Sequence, residues 1–352
     1  MQLELFRPEY NETNIYKNKL SVASFFAGVG GIDLGFEQTG YFQTVFANEI
    51  DKNAATTYKL NFPNAFLEVC DIANINPCDL PKINVVTSGF PCQAFSIAGY
   101  RKGFDDDRGH LFFETMRIVN ALQPQVIFLE NVKNLVSHDN GNTFNVIKEE
   151  LSKSGYYYKY DLLNGKDYGN TPQNRERIYI VAFKDRFSYE NFVFPEKIQL
   201  TKKLSDVIDF ASENVEEYYY YTQEKNAFFD SLEKNIKSNE TVYQWRRKYV
   251  RENQNGVCPT LTANMGTGGH NVPLVKVENG IRKITERECF NIQGFPSDFV
   301  LPNNIARSHL YKQAGNSVVV SVIRRIAENI ATALEMKNHE TNVLECSNTR
   351  FK

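Results

Sequence analysis

No apolar run in this chain approaches the roughly 18 residues that a membrane-spanning helix needs. The opening stretch, "MQLELFRPEYNETNIYKNK", is polar and charged. No secretory signal is therefore expected. The six cysteines are scattered, with no C-x-x-C pair and no Cys/His cluster. That argues against a disulfide framework or a zinc site and fits a reducing, cytoplasmic setting. An excess of one charge is missing as well. Forty Lys and Arg stand against 42 Asp and Glu, a formal net charge of −2. Composition alone therefore demands no nucleic-acid partner, and any such reading must rest on local patches. No internal repeat is visible.

What is present is ordinary globular composition, 42% hydrophobic and 23% charged over 352 residues. That suffices for a large core and two lobes. Strand-like runs occur at 20–26 ("LSVASFF"), 44–48 ("TVFAN"), 83–88 ("INVVTS"), 125–130 ("QVIFLE") and 177–183 ("RIYIVAF"). Between several of them lie amphipathic stretches at helical spacing, 111–122 and 143–153. This alternation predicts an α/β fold with a doubly wound, mostly parallel sheet. Such sheets bind ligands beyond the carboxyl ends of their strands. After about residue 195 the character changes. "VEEYYYYTQEK" is tyrosine-rich, "TVYQWRRKYVRENQNG" is basic with aromatics interleaved, and "TANMGTGGHNVP" is glycine-rich. A second, smaller domain is expected there. The regular pattern returns near 284 and ends in a helix, "SVVVSVIRRIAENIATALE". The tail "KNHETNVLECSNTRFK" is expected to be loosely ordered.

Chemistry is carried at a few places. In "SFFAGVGGIDLGF" (24–36) a strand runs into a glycine turn and then a helix. Gly28, Gly30 and Gly31 permit close backbone approach. Glu49 follows the next strand, where an acid binds ribose hydroxyls. The G-x-G-G spacing and the lack of a nearby basic residue favour an adenosine-type cofactor without phosphates. Asp71 suits either an adenine amino group or a helix cap. Glu130 ends a buried-looking strand, so its carboxyl is either ion-paired or raised in pKa. Cys92 in "SGFPCQAFSIAG" sits after a rigid proline, outside the apolar run, where a merely structural cysteine has no reason to be.

The blocks "GFPCQAFSIAG", "ENVKNL", "QNRERIYIVAF", "ITERECFNIQGFP" and "YKQAGNSVVV", in this order, resemble the motifs of the bacterial DNA cytosine-5 methyltransferases of restriction–modification type. The likeness runs from about Ser21 to about Ile330. It implies the S-adenosylmethionine-dependent methyltransferase fold and four parts: a catalytic and cofactor-binding domain (1–200), a target-recognition domain (201–290), a hinge (291–315) and a C-terminal segment (316–352) returning to the first. It also implies that Cys92 is a nucleophile that adds to carbon 6 of a flipped-out cytosine, because carbon 5 is too poor a nucleophile unaided. Glu130 protonates N3, Arg177 holds O2, and Arg175 supports the site. S-adenosylmethionine lies over Phe26, Gly28, Val29, Gly30 and Gly31. Glu49 and Ile50 lie at the ribose, Asp71 and Ile72 flank the adenine, and Pro91, Leu111, Asn316, Ser317 and Val318 complete the pocket. One departure stands out: the family usually has aspartate where this chain has Ser24.

Ser96, Arg101 and Arg108, near Cys92, are expected to hold phosphates of double-stranded DNA. In the second lobe Arg246, Arg247, Lys248 and Arg251, with the Thr260–Leu261 pair typical of the family's recognition regions, are expected to bind DNA. The implied site is GC-rich, of the type GCNGC or GGCC. A monomer on DNA, paired in function with a restriction endonuclease, is the implied arrangement. An RNA cytosine-5 methyltransferase, a non-catalytic DNA-binding relic and a thiol redox enzyme are the competing readings. The long second lobe speaks against the first, the intact Cys92, Glu130 and Arg177 against the second, and the lack of a partner cysteine in sequence against the third.

Overall fold

The computed structural model describes residues 19–91, 110–211, 215–246, 248–267 and 271–349, with 110 and 337–349 as backbone. Cys92, Ser96, Arg101, Arg108 and Arg247 lie outside the described residues. A seven-stranded sheet is built from β1 (Leu20–Phe25), β2 (Phe42–Asn48), β3 (Phe66–Glu68), β4 (Val85–Ser88), β5 (Val126–Val132), β6 (Tyr157–Asn164) and β8 (Glu176–Phe183). The order is β3-β2-β1-β4-β5-β8-β6. All neighbours run parallel except at β8, which is antiparallel to both β5 and β6.

The sheet is covered on both faces, which explains why β1, β4 and β5 read as continuous apolar runs rather than alternating ones. Ile127 and Leu129 point to one face. There they meet Phe112 and Met116 of α3 (His110–Leu122) and Phe144, Ile147 and Leu151 of α4 (Asn142–Lys153). Val126 and Phe128 point to the other. They meet Phe36 of α1 (Gly31–Glu37) and Ile323, Ile326 and Ile330 of the long C-terminal helix Val320–Thr349. The chain thus returns to its first half at the end. A Cβ on Gly35 would lie 2.5 Å from the Ile323 Cβ, so glycine is required where the two helices cross. That C-terminal helix runs on to Thr349, where a loosely ordered tail was expected.

Residues 220–283 form a second, five-stranded sheet in which every pairing is antiparallel. It contains the hairpin of β10 (Val242–Trp245) and β11 (Val250–Glu252), where the Arg246 amide donates to the Tyr249 carbonyl at 2.8 Å. Two short strands join the halves of the molecule. In β7 (Gln173–Asn174) and β12 (Cys258–Pro259), Cys258 pairs with Gln173 and Pro259 with Asn174, in parallel. Among the described residues no helix is long and apolar enough to cross a membrane, and no group of His, Cys, Asp and Glu can hold a metal ion.

Candidate active site

The carboxyl ends of β1, β2, β4 and β5 converge on one edge of the large sheet. At the end of β1 the chain turns sharply. Phe26, Gly28 and Gly30 take φ of 55°, 57° and 84°, a left-handed conformation that is costly for the non-glycine Phe26. Gly30 is fixed by packing, since a Cβ there would lie 2.1 Å from the Phe62 ring. Gly28 faces the other way, with nothing within 4 Å of a Cβ built on it, so the turn has an open side.

Glu49, buried at the end of β2, closes this turn from beside it. Its Oε2 accepts from the Gly28 amide at 2.8 Å and its Oε1 from the Asp51 amide at 2.7 Å. Ile50, next to it, is 62% exposed, an apolar side chain left open beside the turn. The late "GNSV" segment arrives from the far end of the sequence. A Cβ on Gly31 would come within 2.6 Å of the Ser317 Oγ and 3.0 Å of Val318. An open glycine turn, a carboxylate and an exposed aliphatic side chain make a cradle that fits the nucleoside portion of S-adenosylmethionine, which needs close backbone approach and no phosphate site.

Val29 and Ile72 are buried in the core. The Ile72 carbonyl already accepts from Arg117 Nη2 at 3.2 Å. Asp71 caps the short 3₁₀ turn Ile72–Asn74, accepting from the Ala73 amide at 2.9 Å, which is its helix-cap reading. Asn316 is exposed and Leu111 half-buried. Pro91, exposed, is the last described residue before Cys92, and Phe90 just before it is tied down because its carbonyl accepts from Asn131 Nδ2 at 2.7 Å.

Glu130 stands at the end of β5. In the β5–β8 ladder Glu130 pairs with Tyr179 and Val132 with Arg177, which puts Glu130 and Arg177 on one face as diagonal neighbours. Arg177 Nε lies 3.2 Å from Glu130 Oε1. The other carboxyl oxygen is 3.8 Å from a Cβ built on Gly89, at the root of the segment that leads to Cys92. Burial raises the Glu130 pKa above the usual carboxylate value, and the Arg177 and Arg175 guanidinium groups pull against that rise. Both sequence readings of Glu130, ion pair and raised pKa, thus hold together.

Arg175 is fully buried and points away from this pair. It donates through Nη1 to the Leu261 carbonyl at 2.7 Å and through Nη2 to the carbonyls of Gly315, at 3.1 Å, and Ser317. Burial lowers its pKa to about 9. One side chain therefore ties the segment before the second glycine-rich loop to the end of helix Arg307–Asn316. Gln173, in the same "QNRER" stretch and not singled out by sequence, accepts from the Leu261 amide at 3.3 Å and donates to Gln293 Oε1 at 3.1 Å. Its place two residues before Arg175 was the only signal for it.

Leu261 is corrected by this arrangement. Its side chain is 1% exposed and belongs to the core, so it cannot touch DNA as placed. Thr260 lines a cleft of about 430 Å³ with Arg177, Lys133, Asn174 and Glu176. Its hydroxyl donates to the Asn174 carbonyl at 2.6 Å. On the β10–β11 hairpin Arg246, Lys248 and Arg251 are exposed. Arg251 pairs with Gln244 across the strands, and Arg246 Nη2 donates to Gln244 Oε1 at 3.2 Å.

The profile of the C-5 cytosine-specific DNA methylase family matches residues 20–332. The type II methyltransferase M.Bsp6I of Bacillus sp. (strain RFL6) is 64% identical over 312 residues, 88% of this chain and 98% of the relative. M.HhaI of Haemophilus parahaemolyticus, another type II methyltransferase, is 38% identical over 331 residues, 90% of this chain and 96% of the relative. In fold, the chain is similar to a DNMT2 variant of Spodoptera frugiperda, with a TM-score of 0.68 at 20% identity over 89% of this chain and 99% of that one. The chain belongs to the C-5 cytosine-specific DNA methylase family and is an S-adenosylmethionine-dependent DNA (cytosine-5-)-methyltransferase.

Proposed function

We propose that the protein is the methyltransferase of a type II restriction–modification system. It flips a cytosine out of a specific, GC-rich duplex site and methylates it through a covalent Cys92 adduct. The observation that carries the site assignment is the Glu130–Arg177 pair, buried beside Gly89, where the chain runs on to Cys92. The names of the type II relatives support the restriction–modification role.

In this reading the base must leave the stack, because both of its faces are covered in a duplex. The Cys92 thiolate adds to carbon 6. Glu130 gives its proton to N3, so the electrons of the broken 5,6 double bond are held as an enamine nucleophilic at carbon 5. Arg177 holds the O2 oxygen and the Glu130 carboxylate left behind. Bound S-adenosylmethionine supplies an electrophilic methyl group, which carbon 5 takes. Solvent water takes the carbon 5 proton, the electrons restore the 5,6 double bond and expel the Cys92 thiolate, and N3 returns its proton to the Glu130 carboxylate.

Ser96, Arg101 and Arg108 meet phosphates in this reading, and the hairpin carrying Arg246, Arg247, Lys248 and Arg251 reads the site. Residues 201–290 are then the target-recognition domain, between catalytic residues 1–200 and a hinge at 291–315, with 316–352 returning to the first part. The enzyme works as a cytoplasmic monomer on DNA, paired with an endonuclease in function rather than in a stable complex. The test is bisulfite sequencing of duplex DNA treated with the purified protein and S-adenosylmethionine. Protected cytosines at one position of a single GC-rich motif are expected. Methylation of tRNA with none in duplex DNA would move the assignment to RNA.

A further inference from the structure

The one departure from the family's pattern, Ser24, leads to a buried cluster that the reaction does not use. Ser24 Oγ donates to Asp33 Oδ2 at 3.0 Å. Thr44 Oγ1 and the Tyr58 hydroxyl donate to Asp33 Oδ1 at 3.1 and 3.3 Å. All four side chains are fully buried or within 1% of it. The three donors come from β1, β2 and helix Lys52–Asn61, and the acceptor from α1. All four elements adjoin the glycine turn. The chain of contact continues to the turn itself: Tyr58 stacks on Phe62 with ring centroids 4.6 Å apart, and Phe62 fills the space under Gly30. An aspartate at position 24 would instead set two buried carboxyls at hydrogen-bond distance, and one would have to hold a proton.

We propose that Asp33 is a positioning residue for the cofactor, holding the Gly28–Gly31 turn in its binding shape through Ser24, Thr44 and Tyr58. As an anion it accepts all three hydroxyls at once. As a neutral acid its own proton needs an acceptor, and one of the three links must turn round. A sulfonium cation bound over the turn also favours the anion. Burial raises the Asp33 pKa to about 7, against the pull of Ser24 and Thr44. The other charged or titratable groups acting here are Glu37, one turn along α1, with Lys19 beside it, and the Tyr58 hydroxyl. Packed on α1 from the C-terminal helix is Ile323, which is apolar. The switch between the two arrangements therefore falls near neutral pH, and by linkage the cofactor binds more tightly above it.

The inference rests on the placement of the cofactor over this turn, and the two are tested apart. Calorimetry measures binding of S-adenosylmethionine to the DNA-free protein from pH 5.5 to 8.5. Glu49→Gln tests the placement: an unchanged dissociation constant overturns it. For Asp33, the wild type is expected to tighten about fivefold more than Asp33→Asn across this range. Ser24→Ala removes a donor that favours the carboxylate, so the midpoint of the wild-type change moves to higher pH. In turnover, Asp33→Asn raises the KM for the cofactor and leaves kcat nearly unchanged. Superimposable pH profiles for wild type and Asp33→Asn overturn the proposal. If Asp33→Asn does not fold, a midpoint that stays put in Ser24→Ala does the same.

Discussion

Arg177 reaches Glu130 diagonally across the β5–β8 ladder, Nε to Oε1 at 3.2 Å, with both side chains nearly buried. The two groups pull the same titration in opposite directions. Burial favours the protonated acid, and the guanidinium favours the carboxylate.

That balance fixes a pH dependence. In the proposed mechanism Glu130 starts protonated, so the single-turnover rate falls as pH rises through its raised pKa. Arg177→Gln removes the cation that favours the carboxylate. The descending limb should then move to higher pH, while the maximal rate drops. The sign for stability is the same. A carboxyl with a raised folded-state pKa contributes stability present below its unfolded value, and that stability is lost as pH rises through the folded one. Rapid-quench rates from pH 6 to 9.5 check this, and a limb that moves down would assign the titration to another group.

Glu130→Gln keeps the shape and loses the proton. The chemical step is expected to slow by roughly two to four orders of magnitude, the usual range for a positioned acid, with DNA affinity changed much less. Unaltered single-turnover rates would make Glu130 a structural partner of Arg177 and nothing more.

Cys92→Ser should abolish transfer while cofactor binding stays nearly intact, because in the proposed mechanism the thiolate acts on the base. With 5-fluorocytosine in the target, the final elimination is blocked. A protein–DNA adduct should then survive denaturing electrophoresis in the wild type and be missing in the variant. Turnover by the serine variant near the wild-type rate removes the covalent mechanism.

Arg251 and Lys248 should fail differently. Arg251 is paired with Gln244 on a rigid two-stranded ladder, and its two donors match the two major-groove acceptors of guanine. Arg251→Ala should cost about 1–3 kcal/mol and relax discrimination at one base pair. Lys248 sits in the hairpin turn, where its amide donates to the Arg246 carbonyl at 2.7 Å. Lys248→Ala should weaken binding equally on all sites and reduce the salt dependence by about one. Binding to cognate and singly substituted duplexes at several salt concentrations separates the two. Uniform loss in both variants would shift specificity to the loop after Leu261.

Arg175→Met tests the buried tie. It strips the carbonyls of Leu261, Gly315 and Ser317 of a donor, so stability should fall by about 1–3 kcal/mol in denaturant titrations. A midpoint indistinguishable from wild type would mean that these carbonyls find other partners.

The elements that sequence makes legible are those whose burial leaves a mark in it. β1, β4 and β5 are apolar on both faces because helices cover both faces. The glycine turn shows itself because only glycine tolerates the Phe62 ring under residue 30. β6 leaves no such mark. It is an edge strand, "YYKYDLLN", with exposed and half-buried positions nearly throughout, and it carries no apolar run. Glu49 and Glu130 are marked by their places at strand ends, and Arg177 by its motif. That Glu130 and Arg177 share a face follows from strand register, which only the folded sheet decides. That Leu261 is core rather than DNA contact, that Arg175 ties together three carbonyls, and that Ser24 meets Asp33 all depend on pairs nine to 142 residues apart in sequence. Local pattern determined which residues are candidates for the chemistry. Long-range packing decided which of them meet, because hydrogen bonds and burial act across space and leave no period in the chain.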